Sequence, residues 1–479
     1  MRSAAASVAL ISIITFSTMS LCAATNGLDA RFGSGGFVPL GPTPSSNISI
    51  GLRALAVQTD GRILVGGRVV NVSDPGSGAL LPAIGRLHAD GSWDPSFGNH
   101  GVFVLPYATG SAPNGGEIHE IRVLSDNSIV ASGGSYANGS DFKTCTLLVK
   151  LTDSGTLDSS FGPDQSGSFC FDFATDTNQY SWPFHHEGLE LAADDSFYLT
   201  TPYTNMTHGA VAHFDGNGVL VPGYGANGIA DLPENVVATR LQLTTEGQIL
   251  AVGAIDNAAA IAVVRLDATG QLDDGFGASG VSQFDAQPEG LVSPVDAALD
   301  RQQRLVIADN DDSGGLLPYR FARIGAGGAL DDSFNGDAQQ PGFPGFATPF
   351  VTTSGFFNGL GALHPLTDGH IFAVGDAGFL IDGDGATNLA LLRLDEDSGY
   401  DATFGDALHP GWTSINIGGT ANGETRMRAL AADSNQRTYL AIDAVDGNLH
   451  GCSGLVRIIP DRLNDSGFEG TPALPACPQ

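Results

Sequence analysis

Positive charge is what this 479-residue sequence has least of: Lys and Arg together number 21 against 52 Asp and Glu, giving a formal net charge of −31. So acidic a chain repels phosphate backbones and anionic bilayers, which argues against nucleic acid and membrane surfaces as partners. Long hydrophobic runs are missing as well. After residue 24 nothing approaches the roughly 18 uninterrupted apolar residues of a membrane span, so no membrane span is expected. There is no Gly-x-Ser-x-Gly elbow and no phosphate loop closed by a lysine. Cysteine is scarce, at five residues.

Glycine is abundant, at 65 residues, and the hydrophobic fraction of 42% is ample for a core. Residues 1–24 read as a secretory signal. Arg2 supplies the positive start, Val8 to Phe16 the apolar core, and Cys22-Ala23-Ala24 the small residues of a cleavage site near Ala24. The expected localisation is secreted or periplasmic. Leu21 is too bulky for Cys22 to be a lipid-bearing residue.

One motif recurs from end to end. Its aromatic ring stands at Phe32, Phe97, Phe161, Tyr224, Phe276, Phe334, Phe404 and Phe468, and three residues earlier stands an acid in every copy but that of Val221. Eleven residues before each ring from the second onward is Arg86, Lys150, His213, Arg265, Arg323, Arg393 or Arg457. His213 and Val221 depart together, which suggests that base and acid face one another elsewhere. The expected pairs are Arg86 with Asp94, Lys150 with Asp158, Arg265 with Asp273, Arg323 with Asp331, Arg393 with Asp401 and Arg457 with Asp465. A pair repeated in every unit reads as structural, and the ring as a buried peg worth on the order of 2–3 kcal/mol.

Each interval between rings carries four strand signals, in the first Phe37 to Leu40, Arg53 to Gln58, Ile63 to Val70 and Ala83 to Leu87. Seven such units, averaging about 62 residues, predict an all-β fold, a seven-bladed β-propeller of four-stranded antiparallel blades. The expected domains are the signal at 1–24, one propeller over 25–470, and a C-terminal tail over 471–479.

The element Gln58-Thr59-Asp60-Gly61-Arg62-Ile63-Leu64-Val65-Gly66-Gly67, taken with Leu157-Asp158-Ser159-Ser160-Phe161-Gly162, resembles the bacterial delta-60 repeat proteins, a group of β-propellers. The resemblance covers nearly the whole mature chain and implies the fold, but transfers no catalytic residue. The chain departs from the pattern at Val221 to Tyr224, and its turn element weakens at Ala193-Asp194-Asp195-Ser196 and Asp300-Arg301-Gln302-Gln303, where less regular blades are expected.

Four cysteines remain after signal removal. Cys145 and Cys452 each stand five residues before the base, and Cys170 and Cys477 nine after the ring, so bridges Cys145–Cys170 and Cys452–Cys477 are predicted. The second would tie the C-terminal tail to the seventh unit.

Connections before the second strand and after the third vary in length and open on one face, where a binding site is expected. On those connections His185, His186 and Glu187 carry metal-ligand chemistry, but neighbours on a strand point to opposite faces. Asp382 and Asp384 begin like a calcium loop, yet Ala386 and Arg393 stand where ligands should. No cofactor is predicted; zinc or manganese would suit the histidine loop and calcium the acidic one. No concentrated His, Asp and Arg cluster stands out along the chain. The reading is therefore an exported, non-catalytic, monomeric propeller that binds a glycan, a cell-envelope component or a protein. The alternative is a polysaccharide hydrolase or lyase with a metal or paired carboxylates in the central funnel.

Overall fold

The computed structural model describes residues 28–29, 31–40, 50–70, 80–105, 115–136, 143–171, 173, 188–203, 208–255, 259–285, 292–311, 319–334, 346–347, 358–377, 388–397, 399–405, 411–415, 424–445 and 451–458. They form seven four-stranded antiparallel sheets, the blades of a β-propeller. A short strand, β1 (Phe37–Pro39), precedes blade one, which is β2 (Gly51–Val57), β3 (Ile63–Val70), β4 (Leu80–Leu87) and β5 (Val102–Val104). Blade two is β6 (Gly115–Val123), β7 (Ile129–Tyr136), β8 (Lys143–Leu151) and β9 (Ser168–Phe171). Blade three is β10 (Gly188–Leu191), β11 (Phe197–Tyr203), β12 (His208–Phe214) and β13 (Ile229–Asp231). Blade four is β14 (Val236–Leu243), β15 (Ile249–Ile255), β16 (Ala260–Leu266) and β17 (Val281–Asp285). Blade five is β18 (Val292–Leu299), β19 (Leu305–Asp311), β20 (Arg320–Ile324) and β21 (Phe346–Ala347). Blade six is β22 (Asn358–Pro365), β23 (Ile371–Ala377), β24 (Asn388–Leu394) and β25 (Trp412–Ile415). Blade seven is β26 (Glu424–Ala432), β27 (Thr438–Val445) and β28 (Gly451–Ile458), completed by β1 from the other end of the chain.

That last pairing corrects the strand frame expected from the sequence. The strand following each ring is the outermost of the blade already under way, so Phe37–Pro39 belongs with β28 (Phe37↔Val456) and not with β2. A linear repeat has no marked beginning, and only the hydrogen bonds decide where a blade starts.

The core is divided into clusters that straddle neighbouring blades. Ala54, Ala56 and Leu64 of blade one pack with Ile118, Ile121 and Leu147 of blade two, while Tyr439, Ala441 and Leu455 of blade seven pack with Leu52, Val65 and Phe32. The middle strands are buried on both sides, which is why β16 and β24 are apolar almost throughout.

The recurring motif is the joint between blades. Arg86 donates from Nε to Asp94 Oδ2 at 2.8 Å, with 2% and 3% of the two side chains exposed. Its guanidinium lies 4.7 Å from the centre of the buried Phe97 ring, and its Nη1 donates to the Asp153 carbonyl in the turn of blade two. Asp94 also accepts from the Ser96 amide in the expected Asx turn. The same four-part joint appears at Arg265, with Asp273, Phe276 and the Ala326 carbonyl, and at Arg323, with Asp331, Phe334 and the Glu396 carbonyl. Lys150 pairs with Asp158 at 3.3 Å and Arg393 with Asp401 at 3.1 Å. Gly155, at φ +76°, shows why the turn needs glycine, since a Cβ there would come within 2.7 Å of the Phe97 ring.

Arg457 has a different partner from the expected one. Its acid is Asp29, at 3.0 Å, and its ring is Phe32, at 4.6 Å, because β1 on β28 brings the first turn beside the last base. Arg457 Nη1 then bonds the Ala89 carbonyl of blade one at 2.8 Å. Asp465 and Phe468 lie outside the described residues.

In blade three His213 stacks on Tyr198 at 4.1 Å and bonds Ser196 Oγ through Nε2 at 3.0 Å, and burial holds its pKa below the ordinary value. The weakened turns are nonetheless regular. Asp195 and Gln303 adopt φ of 65° and 59°, as Asn127 and Gln436 do in blades two and seven, where blades one, four and six use glycine, and their side chains accept the amides of Ser125 and Thr245 in the preceding blade. Cys145 and Cys170 form the predicted disulfide between β8 and β9. The side chain of Cys452 and all of Cys477 lie outside the described residues, as do residues 1–27.

Candidate functional site

The innermost strand of each blade faces the axis, and six of the seven depart from regular pairing at one shared place. A bulge falls between Leu52 and Ala54, Ile118 and Glu120, Ala238 and Arg240, Pro294 and Asp296, Leu360 and Ala362, and Met427 and Ala429. The extra residues are Arg53, His119, Thr239, Val295, Gly361 and Arg428. An extra residue twists the strand and re-aims its side chains, and here the bulged residue or its successor comes to line the axis in each strand. A cavity of about 170 Å³ is bounded by residues of all seven inner strands.

The position after the bulge is filled, blade by blade, by Ala54, Glu120, Gly188, Arg240, Asp296, Ala362 and Ala429, all of which line this cavity. Two residues further along stand Ala56, Arg122, Glu190, Gln242, Ala298, His364 and Ala431. Charge is therefore concentrated on blades two to five, while blades one and seven present alanine at both positions.

The charged side chains form two groups, Glu120 with Arg122 and Glu190, and Arg240 with Asp296. Arg122 Nη1 donates to Glu120 Oε2 at 2.8 Å, and its Nη2 lies 3.8 Å from Glu190. Arg240 Nε lies 3.7 Å from Asp296 Oδ1. The acids also reach the next blade: Glu190 Oε1 accepts the Leu243 amide at 3.3 Å, and Asp296 Oδ2 the Leu363 amide at 2.9 Å. Burial pushes the pKa of Glu190 above the usual carboxylate value against the opposing charge of Arg122, and that of Asp296 likewise against Arg240. Burial lowers the pKa of Arg122, but the charges of Glu120 and Glu190 more than reverse it.

Beside this set Glu117, 4% exposed, gathers three bases. Its Oε2 lies 3.5 Å from Arg53 Nε and 3.4 Å from Arg68 Nε, and its Oε1 3.0 Å from His119 Nε2. Arg428 Nε donates to Asp443 Oδ2 at 2.6 Å.

None of these residues stood out in the sequence, where four of them, Glu117, His119, Glu120 and Arg122, share β6 and the others are spread over five further blades; the expectation of no concentrated charged cluster is corrected by the axis. A signal existed in the position four residues before each inner-strand turn, where Glu120, Arg240 and Asp296 stand in place of the alanine or glycine of the other blades. The metal candidates His185, His186, Glu187, Asp382 and Asp384 lie outside the described residues, as do most of the connections expected to carry the site. Among the described residues no group of three or more His, Cys, Asp or Glu could hold a metal ion.

Residues 58–97 and 247–276 match the family described as Domain of unknown function (DUF5122) beta-propeller. Each DUF5122 segment runs from an inner-strand turn to a peg ring, Phe97 or Phe276, so it contains the base, acid and ring of a joint and none of the charged axial residues. No curated protein matches the chain. Similar solved structures include the phage phi92 endosialidase, at 9% identity, 88% of this chain, 68% of that one and a TM-score of 0.41. Others are the polysaccharide lyase Uly1, at 10%, 88%, 92% and 0.38, and a protein of unknown function from Bacteroides caccae, at 12%, 59%, 79% and 0.33. Scores of that size carry no argument about this chain.

Proposed function

We propose that this protein is an exported, non-catalytic delta-60-type propeller that binds a glycan or another cell-envelope component, with an anchoring group of the ligand seated in the axial channel. The supporting observation is that the axial charges are not repeated. Burying charge is costly even when it is paired, and blades one and seven fill both equivalent positions with alanine, so closing the propeller does not demand Glu120, Arg122, Glu190, Arg240 or Asp296. The Cys145–Cys170 bridge suits an oxidising compartment and hence export.

A second reading, catalysis on a polysaccharide, is favoured by one observation: Glu190 and Asp296 are held above the usual carboxylate pKa, as a general acid would be. Against it, one oxygen of each is fixed by a backbone amide of the next blade. Calorimetric titration of the mature protein with neutral and acidic oligosaccharides tests both readings, with chromatography of the same mixtures. Binding by the parent, lost in Arg240→Met, with intact saccharides recovered, is the expected result. Shortened or unsaturated products would replace binding with catalysis, and no binding across the panel would end the glycan reading.

A further inference from the structure

Resting on the glycan reading, the geometry points to a more specific ligand: we propose that Arg53 and Arg428 receive the carboxylate of an acidic saccharide, a hexuronate, at the rim of the axial channel. Three consecutive blades carry a base at the bulge, Arg428 in blade seven, Arg53 in blade one and His119 in blade two, and all three line the cavity. Across the axis blades four to six have no base at the bulge, where Thr239, Val295 and Gly361 stand, and blades four and five line the cavity with Arg240 and Asp296, which pair with each other at 3.7 Å. The bases at the bulge are thus gathered on one side of the channel, on a chain of formal charge −31.

The two arginines keep donors available. Arg428 commits Nε to Asp443, and its two terminal nitrogens have no partner among the described residues. Arg53 places Nη1 on the Leu52 carbonyl at 2.9 Å and Nε 3.5 Å from Glu117, which leaves Nη2. About a third of each side chain is exposed, 30% for Arg53 and 33% for Arg428. Their successors in the strand, Ala54 and Ala429, line the same cavity with small, uncharged side chains. Glu117 and Asp443 hold the arginines through Nε, which leaves both terminal nitrogens of Arg428 and Nη2 of Arg53 to donate to a planar carboxylate.

Calorimetric titration of the mature protein with trigalacturonate and with its neutral methyl ester is the test, repeated on Arg428→Met and Arg53→Met. The acid should bind, the ester should bind at least about tenfold more weakly, and each variant should lose about tenfold for the acid while keeping its circular dichroism and melting temperature, as for loss of one charge-assisted contact. The comparison of acid with ester on the parent protein needs no variant to fold. Equal binding of acid and ester, or undiminished binding by Arg428→Met, overturns the carboxylate assignment while the glycan reading stands. Binding of a sulfated trisaccharide in place of the uronate would keep the arginines and replace the carboxylate with a sulfate ester. Failure of every acidic saccharide, beside binding of a neutral one, overturns the inference alone; failure of all saccharides removes the reading beneath it.

Discussion

The peg joints and the axial channel are both built from arginine and acid, yet they differ in the feature that separates scaffold from site. At the joints a base, an acid and a ring return blade after blade, arginine giving way to Lys150 once with the acid and ring kept, and where the base is lost at His213 the acid and ring change with it. At the axis the positions are equivalent but their occupants are not: Glu120, Arg240 and Asp296 share a register with Ala54, Ala362 and Ala429. Repetition in a propeller marks what every blade needs, and its interruption marks what the molecule as a whole does with them.

Breaking a joint should therefore cost far more than altering the rim. Asp94→Ala leaves Arg86 buried beside its ring without its acid, and should lower stability by about 3–5 kcal/mol in urea unfolding; a loss below about 1 kcal/mol would make the joint ornamental. Opening the Cys145–Cys170 bridge by Cys145→Ala should remove about 3 kcal/mol, measured in the same way.

Blade three sharpens the comparison, because it shows whether the joint is one unit. His213→Arg alone should destabilise, and His213→Arg with Val221→Asp should recover most of the loss, with a coupling of about 1 kcal/mol or more in a double-mutant cycle. Simple additivity would mean that base and acid are independent.

The two regions should also respond oppositely to acid. Hydrogen bonds from Ser96 and Ser333, with the charges of Arg86 and Arg323, hold Asp94 and Asp331 below their ordinary pKa although burial raises it. Their stabilisation is complete above the ordinary carboxylate value and is lost as pH falls through the depressed folded value. Asp296 and Glu190 are displaced upward, so the folded protein binds those protons more tightly, and stability falls as pH rises from the ordinary value through the folded one. Asp296→Asn should flatten that upper limb and leave the acid limb unchanged in a series of pH-dependent melts. The smallest effect is expected at Arg428→Met, within about 0.5 kcal/mol of the parent, since a third of that side chain is exposed.

Much of the scaffold was legible because it is written in side chains at fixed spacing. The pitch gave seven blades, the eleven-residue interval gave five pairs from Arg86–Asp94 to Arg393–Asp401, and the cysteine intervals gave the bridge in blade two. The partner of Arg457 was not legible, since Asp29 stands at the other end of the chain and Asp465 offered the same spacing locally. The axial site was hidden for another reason. A bulge is a fault in hydrogen-bond register, with no residue type of its own, and Arg53, His119 and Arg428 look in sequence like ordinary solvent-facing positions of a strand. The turns at Asp195 and Gln303 were underestimated because glycine was taken as the only occupant, whereas those side chains accept backbone amides of the preceding blade while holding φ positive.

The pairing of β1 with β28 also sets an order in time. The residues that complete the last blade are among the first to be synthesised, so the segment from Leu28 to Leu40 must wait, uncommitted, while six blades assemble behind it. Bringing ends so far apart in the chain together carries a closure entropy of roughly 5 kcal/mol. Docked blades reduce that burden by delivering β28 to the place where β1 already sits. Asp29, Phe32 and Phe37 are then the latch of a ring that can shut only when the whole chain is present, and a truncated product, however well its early blades fold, leaves an open strand edge.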